Sequence, residues 1–137
     1  MEEEKKQIII ELEGKIPSKK NTYKIRKSKG LYKPAEVINW ENSALWQIKG
    51  QQARWSVVKT PLKEPVIVKV YFLVHSRSDL DNKYTAIQDV LVKAGILADD
   101  KVNIVRRFEV EGEIIPSNQQ EKTYIIIESY FPDEKER

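Results

Sequence analysis

The chain has 137 residues and no Cys, and its 24 Lys and Arg residues against 21 Asp and Glu residues give a formal net charge of +3. This length is typical of one domain with a continuous hydrophobic core, so we expect a single domain over residues 1–137. The absence of Cys excludes disulfide scaffolds, thiolate catalysis and Cys-ligated metal sites, so we expect any metal to be held by oxygen. The apolar run Ile8–Ile10 is too short for a signal peptide or a membrane span, which predicts a cytoplasmic protein without a membrane partner.

The N-terminal half predicts a strand, a loop and a helix. Ile8, Ile10 and Leu12 alternate with other residues as in a half-buried strand. A basic loop at about residues 15–33 follows the strand. From Val37 onward, apolar residues recur at helical spacing and predict a helix of roughly three to four turns.

The C-terminal half predicts strands around a second helix. The run Val66–Val74 has the composition of a central strand, and a helix is expected from about Leu80 to Ala94, ended by Gly95. Two further β segments are expected at Val102–Val110 and Thr123–Phe131, with Gly112 in the polar connection between them. The fold class is therefore α/β or α+β, with two main helices on a small mixed β-sheet.

The basic loop contains eight Lys and Arg residues between Lys15 and Lys33 and no acid. Such a run suits a phosphate backbone, and a solvated loop is the alternative interpretation.

Two acidic pairs carry the chemistry that the sequence indicates. Asp79 and Asp81 are one residue apart where the long strand gives way to the second helix, so their side chains point to one side. Carboxylates this close repel each other unless a hard divalent ion neutralises them, which favours Mg²⁺, with Mn²⁺ as the alternative. Asp99 and Asp100 follow that helix, and a return of the chain could bring them near the first pair. A helix cap and a turn are the competing interpretations of the two pairs.

The segment Asp79-Leu80-Asp81-Asn82, the following Lys93-Ala94-Gly95, and Asp99-Asp100 together resemble the core motif of the RusA family of Holliday-junction resolvases. The segment Ile16-Pro17-Ser18-Lys19-Lys20-Asn21 is similar to the N-terminal segment of that family. The resemblance spans most of the chain in order.

This resemblance implies a RusA-like fold and a homodimeric endodeoxyribonuclease that cuts branched DNA, above all four-way junctions, by paired phosphodiester hydrolysis. It implies that Asp79, Asp81 and Asp100 are essential metal ligands, and Asp99 is an additional candidate.

One position departs from the family pattern. The family usually has Lys four residues after the second Asp of the motif, where this chain has Thr85. Lys83 lies about 200° around the helix from Asp81, so we expect it to point elsewhere. Lys101 is the better candidate for a catalytic cation. A non-catalytic branched-DNA-binding protein that keeps the fold is therefore the alternative function.

Residues of the basic loop and of the acidic segments are candidates for DNA contact. Asn82 could instead cap the second helix. The candidates are Lys19, Lys20, Asn21, Lys24, Arg26, Lys27, Arg77, Asn82 and Arg106.

Overall fold

The computed structural model describes residues 7–17, 24–26, 30–32, 35–75 and 80–131, with residues 24–26 and 30–32 described as backbone. In chain order the elements are β1 (Gln7–Glu13), β2 (Lys24–Arg26), β3 (Gly30–Tyr32), α1 (Ala35–Gln51), β4 (Val66–Val74), α2 (Leu80–Lys93), β5 (Val105–Ile114) and β6 (Lys122–Ser129). A 3₁₀ turn, Gln52–Trp55, continues α1.

Four of the strands form one mixed sheet in the order β1-β6-β4-β5. β6 pairs antiparallel with β1 and with β4, whereas β5 lies parallel to β4. Parallel neighbours need a crossover connection, and α2 supplies it between β4 and β5. The predicted α+β architecture is confirmed.

The core lies between one face of this sheet and the two helices. Ile8, Ile10 and Leu12 of β1 are buried, as their alternation predicts. α2 adds a stripe at helical spacing in which Ile87 and Leu91 are fully buried. Leu80, the first residue of α2, packs so closely over Gly112 of β5 that a Cβ there would lie 2.9 Å from Leu80 Cδ2.

Side chains of α1 cover the free edge of β1. The Gln47 amide bonds with the backbone N–H and C=O of Glu13, and the Gln51 amide does the same with Glu11. An uncovered edge strand presents unpaired backbone groups that invite pairing with another chain. These two glutamines satisfy part of that edge within the molecule.

The other face of the sheet has no helix from the described residues against it. One row across its four strands runs Ile9, Ile126, Lys69 and Glu109. Acids outnumber basic residues on this face. The acids are Glu11, Glu13, Glu109, Glu111, Glu113 and Glu128, and the basic residues are Lys69, Arg107 and Lys122.

Several predicted boundaries are wrong. β5 begins at Val105 rather than Val102, because the N–H groups of Ile104 and Val105 both bond to the Lys101 carbonyl and form a turn there. Gly112 lies inside β5 and not in a connection.

Other corrections concern the N-terminal half. α1 is longer than predicted, since it begins at Ala35 and passes through Gly50. The stretch predicted as a loop at 15–33 contains the antiparallel pair β2 and β3, in which Ile25 lies opposite Leu31. Charge dominated the sequence interpretation of this stretch, although its apolar residues suit short strands. Within the described part of the chain, no helix is long and apolar enough to cross a lipid bilayer.

Candidate active site

The first turn of α2 carries Asp81. β4 ends at Val74 and α2 begins at Leu80. The first motif acid, Asp79, lies between them and outside the described residues. Asp81 is exposed, and its Oδ1 accepts a hydrogen bond of 2.9 Å from the backbone N–H of Asn82. The positive end of a helix favours a carboxylate at this position. Asp81 is therefore held at the helix start with its carboxylate open to solvent.

The turn after α2 carries the second acidic pair. Asp99 Oδ1 accepts a 3.0 Å hydrogen bond from the backbone N–H of Lys101, so this carboxylate shapes the turn. Asp100 is exposed, and among the described residues its carboxylate accepts no hydrogen bond. Leu62 fixes the start of the turn, because it exchanges backbone hydrogen bonds of 2.7 and 3.0 Å with residues 96 and 98. The two acids thus differ in their hydrogen bonding.

Tyr84 packs α2 against β5. It lies one helical turn after Asp81, is 5% exposed, and stacks on Phe108 of β5 with ring centroids 4.4 Å apart. Burial and the charge of Asp100 both raise the pKa of Tyr84. The charge of Asp100 therefore acts on a side chain of α2 that lies one turn after Asp81.

The side chains present suit a divalent cation of the Mg²⁺ kind. Asp81 and Asp100 offer exposed carboxylate oxygens, which are the ligands that Mg²⁺ prefers. The buried Tyr84 hydroxyl has no hydrogen-bond partner among the described residues. Residues 7–17, 35–75 and 80–131 contain no group of three acids or histidines arranged to hold a metal. The third predicted ligand, Asp79, is outside those residues.

Lys83 points away from the acids, as its position around the helix predicts. It is 5% exposed, and its Nζ donates a 3.1 Å hydrogen bond to the backbone carbonyl of Ile16. Burial lowers the pKa of Lys83, the charge of Glu121 opposes this, and Lys15 adds to it. Lys83 is four residues before the buried Ile87, and that spacing already places it on the core side of α2.

Glu121 organises the end of the sheet from which the motif segment departs. Its carboxylate accepts the backbone N–H of His75 at 2.7 Å and lies 3.6 Å from His75 Nδ1. Its backbone carbonyl accepts the N–H of Gly14 at 3.0 Å. Glu121 is 7% exposed and was not among the sequence candidates, because nothing in its local sequence distinguishes it from a surface acid.

The structure describes the side chains of only a few of the residues predicted to bind DNA or to supply a catalytic cation. Lys101 is exposed beside Asp100. The Arg106 guanidinium lies over the Tyr130 ring, 4.8 Å from its centroid, and Asn82 is half-buried. Lys19, Lys20, Asn21, Lys27 and Arg77 lie outside the described residues, as do the side chains of Lys24 and Arg26.

Thr85 stands where a lysine was expected from the family pattern. Its hydroxyl donates a 2.9 Å hydrogen bond to the backbone carbonyl of Asp81, one turn earlier. The side chain is exposed on the same side of α2 as Asp81, so it supplies a hydroxyl and no charge there.

Comparison with known proteins gives one family. Residues 13–128 match the family described as endodeoxyribonuclease RusA. A crossover junction endodeoxyribonuclease RusA of Aquifex aeolicus (strain VF5) is 30% identical over 109 residues, which cover 74% of this chain and 84% of that protein. The range 13–128 contains both helices, strands β4 and β5, and both acidic segments.

Proposed function

This chain belongs to the RusA family of endodeoxyribonucleases, and from that premise we propose that it resolves Holliday junctions and other branched DNA as a homodimer with Mg²⁺. Mn²⁺ is the alternative cofactor. The observation that supports the proposal best is the match of residues 13–128 to the family, a range that contains Asp79, Asp81 and Asp100.

Asp79, Asp81 and Asp100 would hold the cation, with Asp99 in the adjoining turn. A divalent cation bound there supplies charge that stabilises the phosphate and favours ionised water as the nucleophile. Asp81 and Asp100 contribute exposed oxygens, whereas one oxygen of Asp99 already accepts the Lys101 N–H. We therefore assign the main ligand role in this turn to Asp100.

Lys101 is the candidate for a cation that faces the substrate phosphate. It is exposed directly after Asp100, and among the described residues its ammonium has no partner. A positive charge placed near the scissile phosphate stabilises charge that develops during hydrolysis. Thr85 provides no charge, so Lys101 takes this role in the proposal.

The charge of the sheet supports an approach of DNA from the helical side. On the face without helices, strand β5 by itself contributes three acids, Glu109, Glu111 and Glu113. Such a face repels a phosphate backbone. The carboxylates at Asp81 and Asp100 belong to the opposite layer, where the predicted basic loop would contact an arm of the junction.

The homodimer follows from the paired nicks. A junction has two-fold symmetry, and symmetric cleavage of two strands needs two active sites related by a two-fold axis. Sedimentation equilibrium should give twice the mass of the chain. A monomer at the concentrations that support cleavage contradicts the homodimer.

Cleavage of a labelled synthetic four-way junction with Mg²⁺ tests the activity. We expect paired nicks from the wild type, loss of nicking in Asp81→Asn, and no cleavage of a linear duplex. Glu36→Gln, which removes an exposed acid of α1, is the matched control and should cleave normally. Cleavage that persists in Asp81→Asn would refute the assigned site.

The hydrogen bond of Thr85 to the Asp81 carbonyl favours a second candidate, a branched-DNA-binding protein without cleavage. In that case the protein binds the four-way junction tightly but nicks it with neither Mg²⁺ nor Mn²⁺. The acids of the motif favour the nuclease, because negative charge next to phosphates weakens simple DNA binding.

A further inference from the structure

The face of the sheet that no helix of the described chain covers has an apolar centre. Side chains of β6 and β4 occupy its middle, and Ile9 of β1, which is 46% exposed, extends it. A depression of about 480 Å³ lies there, and its floor includes Ile9, Tyr71, Tyr124 and Ile126. A sheet normally buries an apolar face against another layer. This surface therefore has the composition expected at the centre of an interface.

Acids line both edges of this apolar centre. Their residues are Glu11 and Glu13 on β1, and Glu109, Glu111 and Glu113 on β5. On each edge one carboxylate, that of Glu13 or Glu111, makes no hydrogen bond or ion pair with a described residue. The apolar centre thus lies between two acidic rims that have charge left to pair.

The basic residues of the face do not neutralise these rims. Lys69 Nζ lies 3.3 Å from Glu128 Oε1, and Arg107 Nε lies 3.3 Å from Glu109 Oε2. Two of the three basic residues are therefore already paired within the face. The surplus of acid requires a partner that carries positive charge.

A second copy of the chain fits this face poorly. The row Glu11, Tyr124, Tyr71, Glu111 has an acid at each end. If two copies stack with a two-fold axis along the strands, Glu11 of one copy lies opposite Glu111 of the other. If the axis runs across the strands, the acids of β5 lie over the same acids of the other copy. Like charges across an interface oppose association, and DNA phosphates are repelled in the same way.

The width of the face suits one α-helix. The outer strands β1 and β5 are three strand spacings apart, which is about 14 Å. A helix with its side chains is about 10–12 Å across. A helix laid along β6 and β4 would place an apolar stripe on the centre, and Lys or Arg residues on its two flanks would reach both acidic rims.

We propose that the open face of the sheet binds a basic amphipathic helix of another protein. Its apolar stripe packs on Tyr124, Ile126 and Tyr71, and its cations pair with Glu13 and Glu111. The surface lies on the layer opposite the acidic motif, so the inference goes beyond the proposed function and does not depend on it.

A labelled helical peptide of about 18 residues, with a Leu stripe flanked by Lys on both sides, tests the proposal by fluorescence anisotropy. We expect the wild-type chain to bind this peptide, with an affinity that falls as the salt concentration rises. A peptide with Glu in place of every Lys should not bind. A peptide of the same Leu and Lys composition in scrambled order should bind more weakly, because it has no apolar stripe.

Variants of the chain locate the binding surface. The double variant Glu13→Gln, Glu111→Gln should weaken peptide binding about threefold or more, because it removes one charge from each rim. Ile126→Thr keeps a β-branched residue in the strand and should also weaken binding, since it removes apolar contact from the centre. Glu64→Gln, at an exposed acid outside the sheet, is the matched control and should bind like the wild type. Junction cleavage should be unchanged in all of these variants.

Four results would each overturn the inference. The first is no binding of the Lys peptide at about 1 mM, which is the weak end of specific affinity. The second is equal binding of the Glu peptide, and the third is a loss in Glu64→Gln as large as in the double variant. The fourth is a wild type that sediments as a dimer while Ile126→Thr sediments as a monomer, because a second copy would then occupy the face.

Discussion

The Lys83 ammonium donates a 3.1 Å hydrogen bond to the backbone carbonyl of Ile16, and this bond joins α2 to the end of the first strand segment. Lys83 is two residues from Asp81, and Ile16 is buried at the start of the basic stretch. The bond therefore connects the helix of the acidic motif to the chain segment that leads into the predicted DNA-binding loop. A lysine directly after the acidic motif therefore stabilises the fold here.

Lys83→Met should destabilise the protein, because it leaves the Ile16 carbonyl without a donor and Glu121 without a nearby positive charge. We expect a loss of about 1–3 kcal/mol in the free energy of unfolding, measured by urea denaturation. Lys63→Met, at an exposed lysine, is the matched control and should change stability little. Equal stabilities of the two variants would show that the buried bond contributes nothing.

The two acids of the turn should respond differently to substitution. Asp100→Asn should reduce junction cleavage by more than about 100-fold, because loss of a ligand exceeds the effect of losing a residue that only orients one. Asp99→Asn keeps an oxygen that can accept the Lys101 N–H, so the turn should be preserved. Its reduction of junction cleavage should therefore be smaller than that of Asp100→Asn. Single-turnover cleavage at saturating protein measures both. The reverse order would reassign the ligand to Asp99.

Substitution of alanine for two glycines should change the stability of the protein in opposite directions. Gly112→Ala should lower the free energy of unfolding by about 1 kcal/mol or more, because its Cβ would meet Leu80 Cδ2 at 2.9 Å. Gly50→Ala should raise the free energy of unfolding by about 0.5–1 kcal/mol, because alanine favours the helix more than glycine does. Gly50 lies within α1, and a Cβ there meets nothing within 4 Å. Thermal unfolding of both variants checks the signs. Leu80→Ala should relieve the Gly112→Ala clash in the double variant.

Removing the glutamine cover of β1 should expose its edge. The double variant Gln47→Ala, Gln51→Ala frees backbone groups of Glu11 and Glu13, and we expect slow self-association visible by light scattering. Gln52→Ala, at an exposed glutamine of the adjoining 3₁₀ turn, should scatter like the wild type. Persistent solubility of the double variant would mean that these amides are dispensable.

Thr85→Lys should raise the cleavage rate if charge at this position is what the site lacks. The residue is exposed one turn from Asp81, so a lysine fits without repacking. We expect an increase of about tenfold or more in the single-turnover rate constant, since a cation at the phosphate stabilises developing charge. Thr85→Met controls for the lost hydroxyl. No gain would indicate that one cation, Lys101, is sufficient and that a second charge at position 85 adds nothing.

By itself, the sequence determined the strands and helices whose periodicity is strong. The alternation of Ile8, Ile10 and Leu12 and the apolar run of β4 predicted strands that the structure confirms, because burial on one face imposes a period of two. It also determined the family resemblance, because the acidic motif has a fixed local spacing. The boundary of β5 was not predictable, because the turn at Lys101 depends on Asp99 and on the bonds of Leu62 to the preceding residues.

Tertiary structure alone decided which polar residues act together. Lys83 and Glu121 are far apart in sequence, and each has the local pattern of a surface charge, yet both are buried at one end of the sheet. The stack of Tyr84 on Phe108 likewise requires α2 to pack against β5. Hydrophobic periodicity indicates which face of a helix or strand is buried, but it does not indicate which residues that face will contact across the core. The distances that make a site arise only when helix and sheet pack.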